Sequence, residues 1–521
     1  MFAGAADLSA TVIFGSQNIF SGGEAEDASV FGSFAVQTVF SGGTAVRSQL
    51  IADTRQDVRS GGTSLMTTAL HGSEERVAGI AISTVVDSGG MLNVSGGTAI
   101  GAHVLTGSAI VQALGVALGI GVGGTLKLSA GGTAIDADFD EGLEQIFSGG
   151  TDIRGSIFEA SQTIFAGGES DDAVLAIAAQ TVSSGGFALR TVLKTIGEEF
   201  VLAGGTSLQT SVLDRSLETV AGRAVGTLVE SGGRINVSGG VASATILSSG
   251  GTATIGKGGT AIGSLVAGGS QIVGSGGIAS ATRVGNAGFD HGEETVSAGG
   301  RAIGTVVTVG DQTVLAGGIA SGTTAGNAPL IIGKQIVARG GLAVGTIVKF
   351  QQEVASGGTT SATTIDADGV TIVSSGGVIK GLTDLSGILV LESGAKISTE
   401  VEFGDGGDLI ISGQTVSAGL LLDAFDETDY IDLASVPFVP GGTASIISGS
   451  TLDILEAGKH YDLNFDDFLG PVSGHFLLGR SQFDSGTEIT VAKGALIGSG
   501  SSATVSAGES SSDVTAASRA F

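Results

Sequence analysis

A pair of adjacent glycines returns along this chain on a nearly fixed beat: Phe40-Ser41-Gly42-Gly43-Thr44-Ala45, then Arg59-Ser60-Gly61-Gly62-Thr63-Ser64, then Val94-Ser95-Gly96-Gly97-Thr98-Ala99. The second glycines fall at Gly23, Gly43, Gly62, Gly79, Gly97, Gly115 and Gly132 and continue to Gly358 and Gly377, about 18 to 19 residues apart. Self-similarity at such a period marks a stacked repeat, in which no unit buries its own apolar face without a neighbour. At Ala78-Gly79 and Ala221-Gly222 the pair reads as degenerate, with alanine in the first place.

Between the doublets the apolar residues are mostly β-branched and alternate with small or polar ones, as in Ala302-Ile303-Gly304-Thr305-Val306-Val307. Alternation argues for strand, and glycine about every nine residues would break a helix. Strands this short cannot form a sheet alone, but successive turns of chain can pair with one another about 4.8 Å apart. The fold expected is therefore all-β: a single-stack parallel β-helix, right-handed, with two or three strands and two corners per coil and a C-terminal β cap. Three residues before the first glycine sit Ile19, Val39, Val58, Ile146, Ile164, Val182, Val201, Val296, Val314, Val337, Val354 and Val373, which alternation assigns to the interior. The next position holds Phe20, Phe40, Arg59, Phe147, Phe165, Ser183, Ser297 or Leu315, a mixture suited to the outside. Each buried Val or Ile is worth roughly 1.5 to 3 kcal/mol, against about 0.5 to 1 kcal/mol lost per glycine.

Four segments follow. Residues 1–20 read as a lead-in strand or cap, with Leu8, Val12 and Ile13 as its apolar content; 21–400 are the repeat array; 401–495 are a β capping segment; 496–521 are a polar, flexible tail. The cap is set apart by composition, since it contains Pro437, Pro440, Pro471 and both tyrosines, Tyr430 and Tyr461. Two beats are long and carry Gly285-Asn286-Ala287-Gly288 and Gly326-Asn327-Ala328-Pro329, read as loops bulging from one corner.

The net charge of −28 on a chain that is only 14% charged would repel phosphate backbones, so nucleic-acid binding is not expected. The absence of cysteine excludes disulfides and thiolate chemistry. The start Met1-Phe2-Ala3-Gly4 shows no ordinary signal peptide, and no apolar run reaches the roughly 18 residues of a membrane helix.

The repeated sentence Val-x-x-Gly-Gly-Thr-Ala-x-x-Thr-x-Val resembles the passenger repeat of AIDA-type autotransporter adhesins of bacteria, over about three quarters of the chain. That resemblance implies a secreted or cell-surface protein used in adhesion, autoaggregation or biofilm formation, meeting surface glycans or proteins or other copies of itself. It also implies a heptosyltransferase that modifies Ser and Thr, with Ser21, Ser41, Ser60, Ser95, Ser148, Ser184 and Ser238 before the doublets as glycan acceptors. The run from Phe425 to Leu433, with Tyr461-Asp462-Leu463 and Gly486-Thr487-Glu488-Ile489-Thr490, looks like the segment that precedes Hint domains in bacterial proteins built on such repeats. Two departures bear on export: no translocator barrel follows, and no Hint domain is possible without its nucleophilic cysteine, which leaves a type I-like C-terminal signal as the expected route.

Acidic residues recur after the doublets: Glu24, Glu26 and Asp27, then Glu169, Asp171 and Asp172, while Asp136, Asp138 and Asp140 alternate as if on one strand face. They read either as calcium ligands, which must converge, or as a solvated acidic face. Asp426, Asp429, Asp432, Asp466 and Asp467 form the better calcium candidate, with turn and edge roles as the alternative, and Gly404-Asp405-Gly406-Gly407-Asp408 is a single copy of a motif that binds only when stacked. No other cofactor is expected. For sugar cleavage, Asp366 and Asp368 or Asp136 and Asp138 could be a carboxylate pair, but the five histidines are scattered and no base accompanies the pairs, so the chain is not expected to be an enzyme. The alternatives to an adhesin are a self-assembling filament or matrix subunit and, behind it, a polysaccharide-active enzyme on the same scaffold.

Overall fold

The computed structural model describes residues 4–286, 288, 290–326, 332–413, 419–447, 450–465, 476–482 and 485–491. Among these residues there is no helix, and the chain winds as a parallel β-solenoid with about 18 residues per coil. It divides into two compact units, residues 1–271 and 272–521.

In the first unit a coil has three strands and three corners, one corner more than the sequence suggested. A representative coil runs through Leu143–Ile146, Thr151–Ile153 and Ser156–Phe158. Each strand pairs in register with its counterpart one coil on, at Ser161–Ile164, Glu169–Asp171 and Val174–Ala176. The step flexes, since Val58 pairs with Val77 and Val77 with Val94, advances of 19 and then 17 residues. Residues 6–19, read from sequence as a lead-in strand, are an ordinary first coil of three strands paired to the second; Leu8 and Ile13 are exposed.

Corners are made by residues with positive φ. In the representative coil these are Gly149, Arg154 and Glu159, at +74°, +58° and +47°. Strand amides donate to the preceding coil, as Thr151 does to the Gly132 carbonyl at 3.0 Å, whereas the corner residues donate to the following one. Gly149 N–H reaches the Gly167 carbonyl at 2.8 Å, Arg154 N–H that of Asp171 at 2.8 Å, and Glu159 N–H that of Ala176 at 3.2 Å. Backbone groups are thereby satisfied around the bends as well as along the strands.

The two glycines of a doublet serve different ends. The first takes the left-handed conformation, and another residue can do so, as Leu114 does at φ +63°. The second cannot be replaced in the same way: a Cβ on Gly43 would lie 2.6 Å from the Ile19 carbonyl oxygen, and one on Gly168 2.4 Å from that of Ile146. Ala78-Gly79 is accordingly not a degenerate doublet. Ala78 lacks positive φ, and the corner between Val77 and Ile80 is two residues shorter than that between Val58 and Thr63; only the second glycine is kept.

The residues assigned to the interior, from Ile19 through Val373, are all buried at 0 or 1% exposure. The third strand adds a column that includes Val30, Leu50, Val104, Phe139, Ile157 and Leu193, and the second contributes mostly small residues such as Ala45, Ala99, Ala134 and Ala188. Small side chains are needed there because the first strand sends long ones, Gln, Glu or Leu, across the lumen toward them.

The second unit winds the same way from Gly292–Val296 onward. Its later coils run the second and third strands together, as in Val378–Leu385 and Lys396–Phe403. Parallel winding continues beyond residue 400 as far as Tyr430–Leu433, whose other edge is met by the antiparallel strand Thr487–Val491, itself paired antiparallel with Phe476–Arg480. Around this closure Phe403, Phe425, Phe465 and Phe476 gather, with Phe403 and Phe425 edge-to-face at 5.0 Å. An antiparallel sheet of Thr443–Ile447, Thr451–Glu456 and Lys459–Asn464 completes the described residues of the cap. The first long beat does open at a corner, where the Asn286 side chain accepts from the Gly288 amide at 2.9 Å and donates to Asp290 at 2.7 Å. Asn327, Ala328 and Pro329 of the second lie outside the described residues.

Candidate functional surface

Repetition at this spacing turns single residues into columns, and three of them carry polar chemistry. The first stands at the doublet corner. Ser21, Ser41, Ser60, Ser95, Ser148, Ser184 and Ser238 are all exposed there. In stacked doublets the serine of one coil overlies the first glycine of the next: a Cβ on Gly42 would come within 2.6 Å of Ser21 Oγ, and one on Gly167 within 2.8 Å of Ser148 Oγ. Beside the serines, Phe20 stacks on Phe40 and Phe147 on Phe165, both at 4.7 Å between ring centres. Phe20 remains 38% exposed, so the rings shield the corner while leaving apolar surface in reach of solvent.

The second column follows the middle corner, where the acidic residues of the sequence acquire partners that spacing alone did not reveal. Arg47 bonds Asp27 of the preceding coil at 2.7 and 2.9 Å and also reaches Glu26. Arg154 grips Asp136 at 2.7 and 2.9 Å, and Arg190 bonds Asp171 at 2.5 Å and Asp172 at 2.6 Å. The fork of each guanidinium fits one carboxylate, and hydrogen bonding to it holds Asp27, Asp136 and Asp172 below the usual carboxylate range. Asp136 does not share a strand face with Asp138 and Asp140: it is the corner residue at φ +54°, and the strand begins at Asp138. Asp366, the other carboxylate offered for sugar cleavage, has a basic neighbour too, Lys349 Nζ at 3.4 Å.

The third column is inside, and the sequence reading passed over it. Two residues before the buried Val or Ile of the first strand stand Gln37, Gln56, Glu75, Glu144, Gln162, Gln180, Glu199 and Glu218, and in the second unit Glu294, Gln312, Gln335 and Gln352, every one at most 1% exposed. Each Gln amide donates to the oxygen of the preceding coil: Gln162 to Glu144 at 2.6 Å, Gln312 to Glu294 at 2.8 Å, Gln335 to Gln312 at 2.8 Å, Gln352 to Gln335 at 2.7 Å. The Gln oxygen also accepts a threonine hydroxyl 11 residues along, from Thr67 to Gln56 at 3.0 Å, Thr323 to Gln312 at 2.9 Å and Thr346 to Gln335 at 3.0 Å. Such a ladder satisfies polar groups that the apolar lumen would otherwise penalise. Its signal was present in the sequence as Gln or Glu at the same parity as the inner Val, with Thr at a fixed offset.

The carboxylates singled out for calcium are engaged with protein donors. Asp426 accepts from the Thr428 amide at 2.8 Å and its hydroxyl at 2.7 Å; Asp429 accepts from the amides of Gly407 and Asp426 at 2.9 and 2.8 Å. Asp432 accepts from Ser481 Oγ at 2.6 Å, just past the end of Phe476–Arg480. Burial pushes Asp429 up to about 6. Gly404 to Asp408 is a doublet corner, closed by Asp429, with Gly406 at φ +79°. Asp466 and Asp467 lie outside the described residues, and among the described residues no three His, Asp or Glu side chains are grouped so as to hold a metal. No helix among them is long and apolar enough to cross a membrane.

No family model matches the chain, and no curated protein matches it. Among solved structures it is similar to a TibC-catalysed hyper-glycosylated fragment of TibA, at 21% identity over 81% of this chain and 100% of that one, with a TM-score of 0.24. It is also similar to a mutant tailspike protein of E. coli bacteriophage HK620 in complex with a pentasaccharide, at 9% identity over 91% of this chain and 86% of that one, TM-score 0.22. The winding described above rests on this chain's own strand pairing.

Proposed function

We propose that this chain is a bacterial surface or secreted display scaffold that acts without catalysis, as an adhesin does, by presenting the same exposed corner many times. The observation that carries the reading is the exposed serine before the doublet, seven of the predicted acceptors lying on the outside of their corners. Copies at coil spacing make contact additive: each site is weak, and simultaneous engagement supplies the strength. The partners that fit are cell-surface glycans or proteins, or further copies of this chain, with sugar on the corner serines as the modification the passenger-like repeat implies.

Beads coated with the purified chain test this. Retention on a cell layer should rise more steeply than in proportion to coating density, while the soluble monomer binds too weakly to compete. A tight one-to-one complex in solution, or turnover of a polysaccharide, would replace display by recognition or catalysis. An intact mass from the native host with regular sugar increments supports the modification; an unmodified mass removes it. The filament alternative is favoured instead if light scattering of the chain alone grows with its concentration.

A further inference from the structure

The inner ladder changes chemistry where glutamine gives way to glutamate. Gln180 uses its amide nitrogen to bond Gln162 and its oxygen to accept Thr191 at 3.2 Å. One coil on, Glu199 uses Oε2 to accept Thr210, again 11 residues along, at 2.9 Å, and its Oε1 is buried with no partner. That oxygen stands in for the amide nitrogen of the glutamines. Glu218 follows on the paired strand, registered beside Glu199, with Ser207 donating to its Oε1 at 3.2 Å; the Thr227 hydroxyl is the nearest further polar neighbour, and Oε2 stays outside hydrogen-bonding geometry. The same pattern occurs in the representative coil: Glu144 and Asp152 share the Gln162 amide, at 2.6 and 3.2 Å, and each keeps one buried oxygen without a partner. Asp152 occupies the space that a side chain at position 155 would need, since a Cβ on Gly155 would lie 2.3 Å from its Oδ2.

We propose that these two acid pairs are proton-binding sites built into the lumen of the first unit, each holding at least one carboxyl neutral at physiological pH, so that acid tightens this stretch of the solenoid and alkali loosens it. An O–H on Glu199 supplies the donor that the ladder lacks there, and a proton on one member spares the pair two adjacent charges in a fully buried position. The surroundings offer no cation instead. The strands packed around Glu199 and Glu218 present Gln180, Ser207 and Ala224, with Thr210 and Thr227 at the neighbouring corner, while Arg215 and Arg223 are exposed. Around Glu144 and Asp152 stand Leu126, Ala134, Gln162 and Ser170; Asp136, the nearest further charge, is on the outside and held by Arg154. Desolvation raises all four carboxyls; repulsion from Asp152 adds to it at Glu144, and repulsion from Glu218 adds to it at Glu199.

Groups raised in the folded state contribute stability that is complete below their unfolded pKa, roughly 4, and is lost as pH rises through the folded value. The thermal midpoint of the whole chain should therefore fall between about pH 5.5 and about pH 8.5, and the isosteric variant Glu199→Gln/Glu218→Gln should fall less steeply than the parent. Independently of any variant, the unmodified protein in heavy water at neutral pH should show the infrared carbonyl stretch of protonated carboxyls, weakened in the double variant if it folds and titrating away in alkali in either case. Equal pH slopes in variant and parent, or no such band, overturns the proposal. So does recovery of the alkaline midpoint on adding calcium chloride or sodium chloride to the parent but not the variant, which would make the pairs cation seats.

Discussion

At the scale of the residue, the doublet separates two kinds of need for glycine. Gly167, at φ +73°, needs left-handed backbone, and Gly167→Ala should cost about 1 to 2 kcal/mol. Gly168→Ala should cost more, because its methyl would meet the Ile146 carbonyl at 2.4 Å and the coils would have to part. Equal thermal midpoints for the two variants would contradict this division. Ile164, fully buried, gives a calibration: Ile164→Ala should lose about 2 to 5 kcal/mol in denaturant unfolding. The interior valines were legible because alternation and burial coincide at a constant offset from the glycine. The non-glycine corner residues were not. Arg47, Arg154, Arg190 and Asp136 look like surface polar residues until the backbone places them at positive φ, a conformation stabilised by hydrogen bonds to the next coil rather than by local preference. For the same reason the acidic residues read either as calcium ligands or as a solvated face, and not as ion-paired: the guanidinium each one meets is some 18 to 21 residues away in sequence and one coil away in space.

At the scale of the element, each coil offers the same donors and acceptors to the coil on either side. Thr98 pairs with Val116 in register, so excision of residues 98–115 would join Gly97 to Val116 and set Val86 against Val122 in the lumen. The shortened chain should keep its strand spectrum in circular dichroism and unfold as cooperatively as the parent; a molten product would mean that coils are not interchangeable. The outer ion pairs count for less, being exposed and open to salt. Arg154→Ala should leave the unfolding midpoint close to the parent's. The winding was readable from sequence at this scale, but the number of corners was not, because the second bend carries no glycine in most coils of the first unit, where residues such as Met66, Asp136, Arg154 and Gln209 take the positive φ. The inner glutamines were missed for a related reason: their polarity argues for the outside, and only their stacking on one another reverses that argument.

At the scale of the whole molecule, acidic residues outnumber basic ones by 51 to 23. Repulsion among them opposes the folded state, and salt screens it. Added sodium chloride should raise the thermal midpoint even though it weakens the outer pairs, a balance that a salt titration at fixed pH would check. Chelation should leave that midpoint unchanged if Asp426 and Asp429 are held by the amides and hydroxyl they already bond; a fall on adding chelator would restore calcium to the cap.

The flexing step between coils has an evolutionary corollary. When Val58, Val77 and Val94 can stay aligned although 19 and then 17 residues separate them, a crossover between two imperfectly matched gene segments need not land on an exact period to yield a workable protein. Length then becomes a trait that a lineage can adjust by recombination, and alleles of unequal size are the variation to look for in natural populations.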